Sequence, residues 1–146
     1  MKITICGSIA FFDEMLQIKQ ELEKLGHEVK IPPTKIADDQ GKMIPVKQYY
    51  EMRKDENDDD SWIWDEKKKA MHSHFDKVEW SEAILVLNYT KRDIENYIGA
   101  NTLLEMGLAF HLEKPIYLLN PIPDISYKEE VLGMFPIVIK GDLTKL

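Results

Sequence analysis

Glu105 is the residue whose type and setting most invite chemistry. It lies in NTLLEMGLAFHLEKPIYLL, residues 101–119, among Leu, Met, Ala and Phe. An unpaired carboxylate in such company is costly, so its presence calls for a reason. Two reasons fit the spacing. Thr102-Leu103-Leu104-Glu105 matches the capping box, in which the Glu reaches back to the cap residue's N–H. Alternatively, the carboxylate is a reactive group turned toward a ligand. Helix starts far outnumber active sites, so the spacing alone favours the cap.

Other residue types capable of chemistry carry weaker signals. His72 and His74 alternate, which on a helix points them about 200° apart. They cannot share one metal ion, and a helical surface pair is expected. The run DENDDD, Asp55 to Asp60, lacks the glycine and the spaced ligands of a calcium loop. Cys6 is the one cysteine, which excludes an internal disulfide and a multi-cysteine zinc site. A buried small hydrophobe is its simplest role. Tyr49, Tyr50, Trp62 and Trp64 are able to stack on a base, although packing is the commoner use of such residues. No metal and no organic cofactor is expected.

Composition bounds the partners. With 44% hydrophobic and 31% charged residues in 146, the chain reads as one globular domain rather than a disordered one. A net charge of −7, with Lys and Arg in no obvious stripe, argues against nucleic acid as the partner. A small anionic ligand stays open, because backbone N–H groups and helix N-termini hold phosphate without net positive charge. No run is long enough to span a bilayer, and no basic segment leads into an apolar one. A cytoplasmic protein without a membrane partner is expected.

The elements that must position these residues follow from periodicity. MKITICGS reads as a short buried strand, Ile3 to Cys6, entering a Gly-Ser turn. Phe11, Met15, Ile18, Leu22 and Leu25 then step by four and three, a helical spacing closed by Gly26. HEVKIPP is a second strand, halted by two prolines, and completes a βαβ opening. Residues 34–70 form a charged excursion: a solvated segment, or a lid whose aromatic residues close over a ligand. A helix is expected from near Trp64 to about Ser81, and AILVLNY is apolar on both faces, as central parallel strands are. A polar loop, the helix 102–112, the strand PIYLL, a short helix in YKEEVLGM and the strand PIVI complete the chain. The fold expected is α/β, a Rossmann- or flavodoxin-like open sheet of five mostly parallel strands with helices on both faces. Such sheets bind ligands beyond their strand C-termini. Gly7-Ser8, Asn88 to Thr102 and Asn120 to Pro123 should meet there, with Asn88 and Glu105.

Thr102, Glu105, Gly107 and Ala109 in TLLEMGLA, followed by KPIYL, resemble the core signature of the nucleoside 2-deoxyribosyltransferase superfamily. CGSI, residues 6–9, with FDEMLQIKQELEKLGHEV resembles that family's first loop and helix, especially in its 2′-deoxynucleoside 5′-phosphate N-hydrolase branch. Asp76 in HSHFDKVEWSEAILVLN resembles the acidic residue placed ahead of the third strand. The resemblance implies Glu105 as nucleophile, with Asp76 as the general acid that protonates the leaving base or as a sugar-orienting group. A 5′-phosphate is then expected on the first loop, Gly7, Ser8 and Ile9, with Asn88 and Asn101 around the sugar and Thr102 among the substrate-binding residues. The resemblance also implies a homodimer or higher homo-oligomer whose neighbouring chains complete the site. The sequence departs from the family where Thr4 or Ile5 replaces a first-strand tyrosine, where Gly99-Ala100-Asn101 replaces Asp-Ser-Gly, and where Lys128 falls nearest a phosphate-gripping serine.

The expected function is cleavage or transfer of the N-glycosidic bond of a (deoxy)nucleoside or nucleoside 5′-monophosphate. Its rivals are a non-catalytic nucleotide-binding module in which Glu105 caps its helix, and an interaction protein using the acidic, Trp-bearing segment.

Overall fold

The computed structural model describes residues 1–146. The chain runs β1 (Lys2–Gly7), α1 (Phe12–Lys24), β2 (Glu28–Lys30), β3 (Lys35–Ala37), β4 (Met43–Pro45), α2 (Val46–Asp55) and α3 (Trp62–Trp80). It continues with β5 (Ala83–Leu87), α4 (Ala100–His111), β6 (Ile116–Leu118), α5 (Lys128–Gly133) and β7 (Ile137–Val138). Five strands form one sheet in the order β2-β1-β5-β6-β7. Every pairing in it is parallel. The expected architecture is the observed one.

Alternation along β1 divides the core. Ile3 and Ile5 face one side of the sheet, joining Leu85, Leu87, and Met15 and Leu22 of α1. Cys6 faces the other side, with Ile84, Val86 and Leu118, against Val78 of α3, Met106 and Ala109 of α4 and Val131 of α5. All five residues of β5 are buried, which is why that strand shows no polar face.

From β1 the chain steps one way to β2, and from β5 it steps the other way to β6 and β7. The reversal lies between β1 and β5, and the loops leaving those two strands part around a crevice. Gly7 ends β1 there, against the end of β5. A Cβ on Gly7 would sit 3.1 Å from the Leu87 carbonyl oxygen and 3.2 Å from Met15 Cε, so the close packing of strand and helix needs a glycine.

The segment 34–70 is more ordered than its charge implied. β3 and β4 pair as an antiparallel hairpin, and α2 follows directly. Ile36, Ile44, Val46 and Tyr49 are buried in the first core cluster. The Tyr49 hydroxyl donates to the Ile63 carbonyl at 2.7 Å, tying α2 to α3. The acidic linker between those helices is solvated at residues 57–60, as is the hairpin turn at 39–43. The helix start is also earlier than expected, at Trp62, because Ser61 caps it by accepting from the Ile63 N–H. At the other end of α3, Lys114 donates to the carbonyls of Val78 and Ser81 at 2.8 and 2.7 Å. A cation there satisfies orphan carbonyls and complements the helix dipole.

Candidate active site

Glu105 does not cap its helix. α4 begins two residues earlier than the sequence implied, with Gly99 as its cap, and the Leu103 N–H donates to the Gly99 carbonyl at 2.9 Å. Tyr97 explains the position, since its ring lies so close that a Cβ on residue 99 would be 3.1 Å from its oxygen. Thr102 therefore lies inside the first turn and Glu105 in the second. The capping-box reading is overturned. Thr102, Glu105, Met106 and Ala109 form the buried stripe of α4, at the spacing of one helix face.

On that stripe Glu105 is 3% exposed and sits at the floor of a cavity of about 320 Å³. Asn101, one turn earlier, donates from Nδ2 to Glu105 Oε1 at 3.0 Å. The Asn101 Oδ1 in turn accepts from Lys67 Nζ at 3.4 Å. The second carboxylate oxygen, Oε2, is buried and has no hydrogen-bond partner. Burial pushes the Glu105 carboxyl up to about 8, although the Cys6 thiol and the Lys67 charge pull the other way. Burial and the nearby Arg53 charge lower Lys67 to about 8, against the pull of Glu105.

His74 of α3 approaches that oxygen, with Nε2 3.7 Å from Glu105 Oε2. The same nitrogen lies 3.5 Å from Cys6 Sγ. Burial, assisted by the Lys77 charge, lowers His74 to about 4, so the ring is neutral at neutral pH. The expected surface pair is thus half wrong, because His72 is exposed while His74 is buried. Cys6 is fully enclosed, as expected of a small hydrophobe, but its sulfur touches polar neighbours.

The structure brings some of the expected site residues together and not others. Gly7, Ser8, Ile9, Asn101, Thr102 and Glu105 all line the cavity. Asp76 does not; it is exposed on α3, and His74, two residues earlier and about 200° around that helix, faces Glu105 instead. Asn88 is also elsewhere. Its Nδ2 donates to the carbonyls of Asn120 and Pro121, both at 3.0 Å, and its Oδ1 accepts from the Asn120 N–H at 2.8 Å. Those bonds consume the side chain, so Asn88 clasps the loop after β6 rather than a sugar. That loop, residues 120–123, contributes nothing to the cavity.

The missing wall comes from the charged segment. Tyr49, Tyr50, Arg53, Lys54 and Lys67 line the cavity, while Trp62 and Trp64 do not. Trp62 packs on Tyr49, and the Trp64 indole donates to the Asp58 carbonyl at 2.8 Å. Lys91 and Arg92 from the loop after β5 join them. Lys91 and Ile94 bond to each other's backbone, and Arg92 and Asp93 between them have φ of 51° and 62°. That is the left-handed pair of a tight reverse turn. Lys91 Nζ donates to the Ser8 hydroxyl at 2.8 Å and to the Tyr50 hydroxyl at 2.6 Å. Burial alone would raise the Tyr50 phenol; hydrogen bonding and the charges of Lys91 and Lys54 outweigh it and leave the group below its ordinary value.

Five cationic side chains therefore surround one buried carboxylate in a chain of net charge −7. Sequence inspection missed them because Arg53, Lys54, Lys67, Lys91 and Arg92 come from three separate elements and form no run. The arrangement sets one buried carboxylate against a cavity lined by cationic side chains.

No protein-family model and no curated protein matches this sequence. Among solved structures, the fold is similar to that of a 2-deoxyribosyltransferase from the psychrotolerant bacterium Bacillus psychrosaccharolyticus. That match has a TM-score of 0.59 and 17% identity over 99% of this chain and 89% of that one. A CMP N-glycosidase from Clostridium botulinum aligns with a TM-score of 0.49 and 16% identity, over 94% of this chain and 85% of that one. No helix is long and apolar enough to cross a membrane. At such identities the likeness is one of architecture, and the chain has the fold of a 2-deoxyribosyltransferase.

Proposed function

We propose that this protein breaks, or exchanges, the N-glycosidic bond of a nucleoside or nucleoside 5′-monophosphate, with Glu105 as the nucleophile. The observation that carries the reading is the buried Glu105 carboxylate lining the cavity, with Oε1 anchored by Asn101 and Oε2 without a hydrogen-bond partner. Departure of a base builds positive charge at the anomeric carbon. A carboxylate in a low-dielectric pocket stabilises that charge or traps the sugar covalently. Water then releases the sugar in hydrolysis, and a second base accepts it in transfer. Asn101 holds the carboxylate in one orientation, which favours attack over rotation away. Asp76, outside the cavity, is not placed to protonate the leaving base.

The rim supports a phosphorylated substrate. Arg53, Lys54, Lys91 and Arg92, with the Ser8 hydroxyl, are donors suited to a phosphate dianion. Tyr50 and Tyr97 stand beside them, with Lys91 over both rings. The rival in which Glu105 serves only as a cap has no footing, because Gly99 holds that position. A chromatographic screen of nucleosides and their 5′-monophosphates for released base tests the proposal, with Glu105→Ala as control. Tight nucleotide binding without any base release would favour a non-catalytic module instead.

A further inference from the structure

Cys6, His74 and Glu105 converge from β1, α3 and α4 at one point on the cavity floor. Their ligand-type atoms all lie within 4.8 Å of one another. Cys6 Sγ is 3.5 Å from His74 Nε2, and that nitrogen is 3.7 Å from Glu105 Oε2. Zinc bonds of about 2.3 Å to sulfur and about 2.0–2.1 Å to nitrogen or oxygen, at tetrahedral angles, place S and N about 3.6 Å apart and N and O about 3.4 Å apart. The S–N and N–O separations already stand close to those values, and the S–O edge is within 4.8 Å. Oε2 is buried, unpartnered and turned toward the other two. His74 and Glu105 also line the cavity, so the cluster lies against it.

We propose that these three residues bind one borderline-soft divalent cation of the zinc class, and that its binding blocks the active site reversibly. The donor set of thiolate, imidazole and carboxylate suits zinc and not calcium or magnesium, which take oxygen ligands. On binding, the Cys6 thiol and the Glu105 carboxyl give up their protons to solvent, and the neutral imidazole gives none. A dication with two anionic ligands leaves the buried cluster uncharged, which removes the main cost of placing a metal there. The binding rests on geometry alone. The blocking rests on the proposed function, because a carboxylate oxygen bound to a metal is no longer free to attack a sugar.

Cobalt(II) titration of the metal-stripped full chain tests the site directly. Cys6 is the sole cysteine, so a thiolate-to-cobalt charge-transfer band reports this cluster and no other. The expected result is a band that saturates at about one cobalt per chain, as one site of this donor set requires, and is bleached by zinc. It should be absent in Cys6→Ala and weakened in Glu105→Gln. A wild-type chain with native circular dichroism and no such band at saturating cobalt overturns the site, whatever the variants do. The second arm measures base release with and without zinc, then with excess chelator, as a ratio within each protein. Wild type should lose most of its turnover and recover it, while Cys6→Ala should keep a ratio near one. A band with undiminished turnover removes the blocking and leaves the metal site. A band in a chain that never releases base counts against the proposed function alone.

Discussion

Burial disfavours the charged form of Glu105, so its carboxyl titrates at about 8 in the folded chain instead of near 4.5. Between those values the unfolded chain has released a proton that the folded chain keeps. Stability attributable to this group therefore falls as pH rises from 4.5 to 8. Glu105→Gln removes the penalty, and thermal melts of metal-free protein should show the variant gaining little at pH 5. At pH 8 the gain should be on the order of a few kcal/mol. Turnover should fall by orders of magnitude in the same preparation, because an amide does not attack a sugar. A variant of near-normal activity would end the nucleophile assignment. For wild type, kcat/KM should climb about tenfold per pH unit below about 8, since the free enzyme must ionise Glu105 first. A flat profile from pH 5 to 8 would show that some other group attacks. At this scale, Glu105 was legible in the sequence because a carboxylate in an apolar helix is conspicuous. His74 was not. It and Asp76 share one helix, and choosing between them needs the rotation of α3 against the sheet. Trp64, Met71, Phe75 and Val78 fall within about 60° of one another on that helix, a weak stripe about 70° from His74 and about 130° from Asp76, while Trp62 and Ile63 point elsewhere and blur it.

The same limit governs the elements. β1 and β5 announce themselves as apolar runs, and the parallel sheet followed from their order in the chain. β3 and β4 hold only three residues each, too short for alternation to stand out, and the neighbouring charges hide the buried Ile36, Ile44, Val46 and Tyr49. Two loop elements make separable predictions. The tight turn at Lys91–Ile94 delivers a cation to Ser8 and Tyr50, so Lys91→Met should raise KM for a 5′-monophosphate about tenfold or more and leave KM for the bare nucleoside nearly unchanged. Equal effects on both substrates would deny Lys91 a phosphate contact. Asn88 holds the β6 loop through three part-buried hydrogen bonds. Asn88→Ala should cost roughly 2–4 kcal/mol in denaturant melts while KM stays close to wild type. A stable variant with a raised KM would return Asn88 to the sugar site.

Over the whole molecule, an acidic exterior encloses a cationic cavity, so an anionic substrate is repelled at long range and attracted at short range. Salt screens both, but the pocket charges act only on the phosphate. The rate preference for a 5′-monophosphate over its nucleoside should therefore shrink as salt rises from about 50 mM to about 0.5 M, where the screening length drops from over 10 Å to a few. A preference that ignores salt would point to shape rather than charge. The enclosure of Cys6 has a further use. Its sulfur is 0% exposed on a strand flanked by β2 and β5, and the chain has no other thiol. A thiol-specific reagent in excess can modify the folded protein only during excursions in which β1 comes away from α3 and α4. The observed labelling rate divided by the rate for the denatured chain is then the equilibrium constant for that opening, in the regime where closing outruns reaction. One buried atom thus times the breathing of the sheet from inside, without any introduced probe. A bound nucleotide that holds α4 in place should slow the clock by the factor its affinity allows.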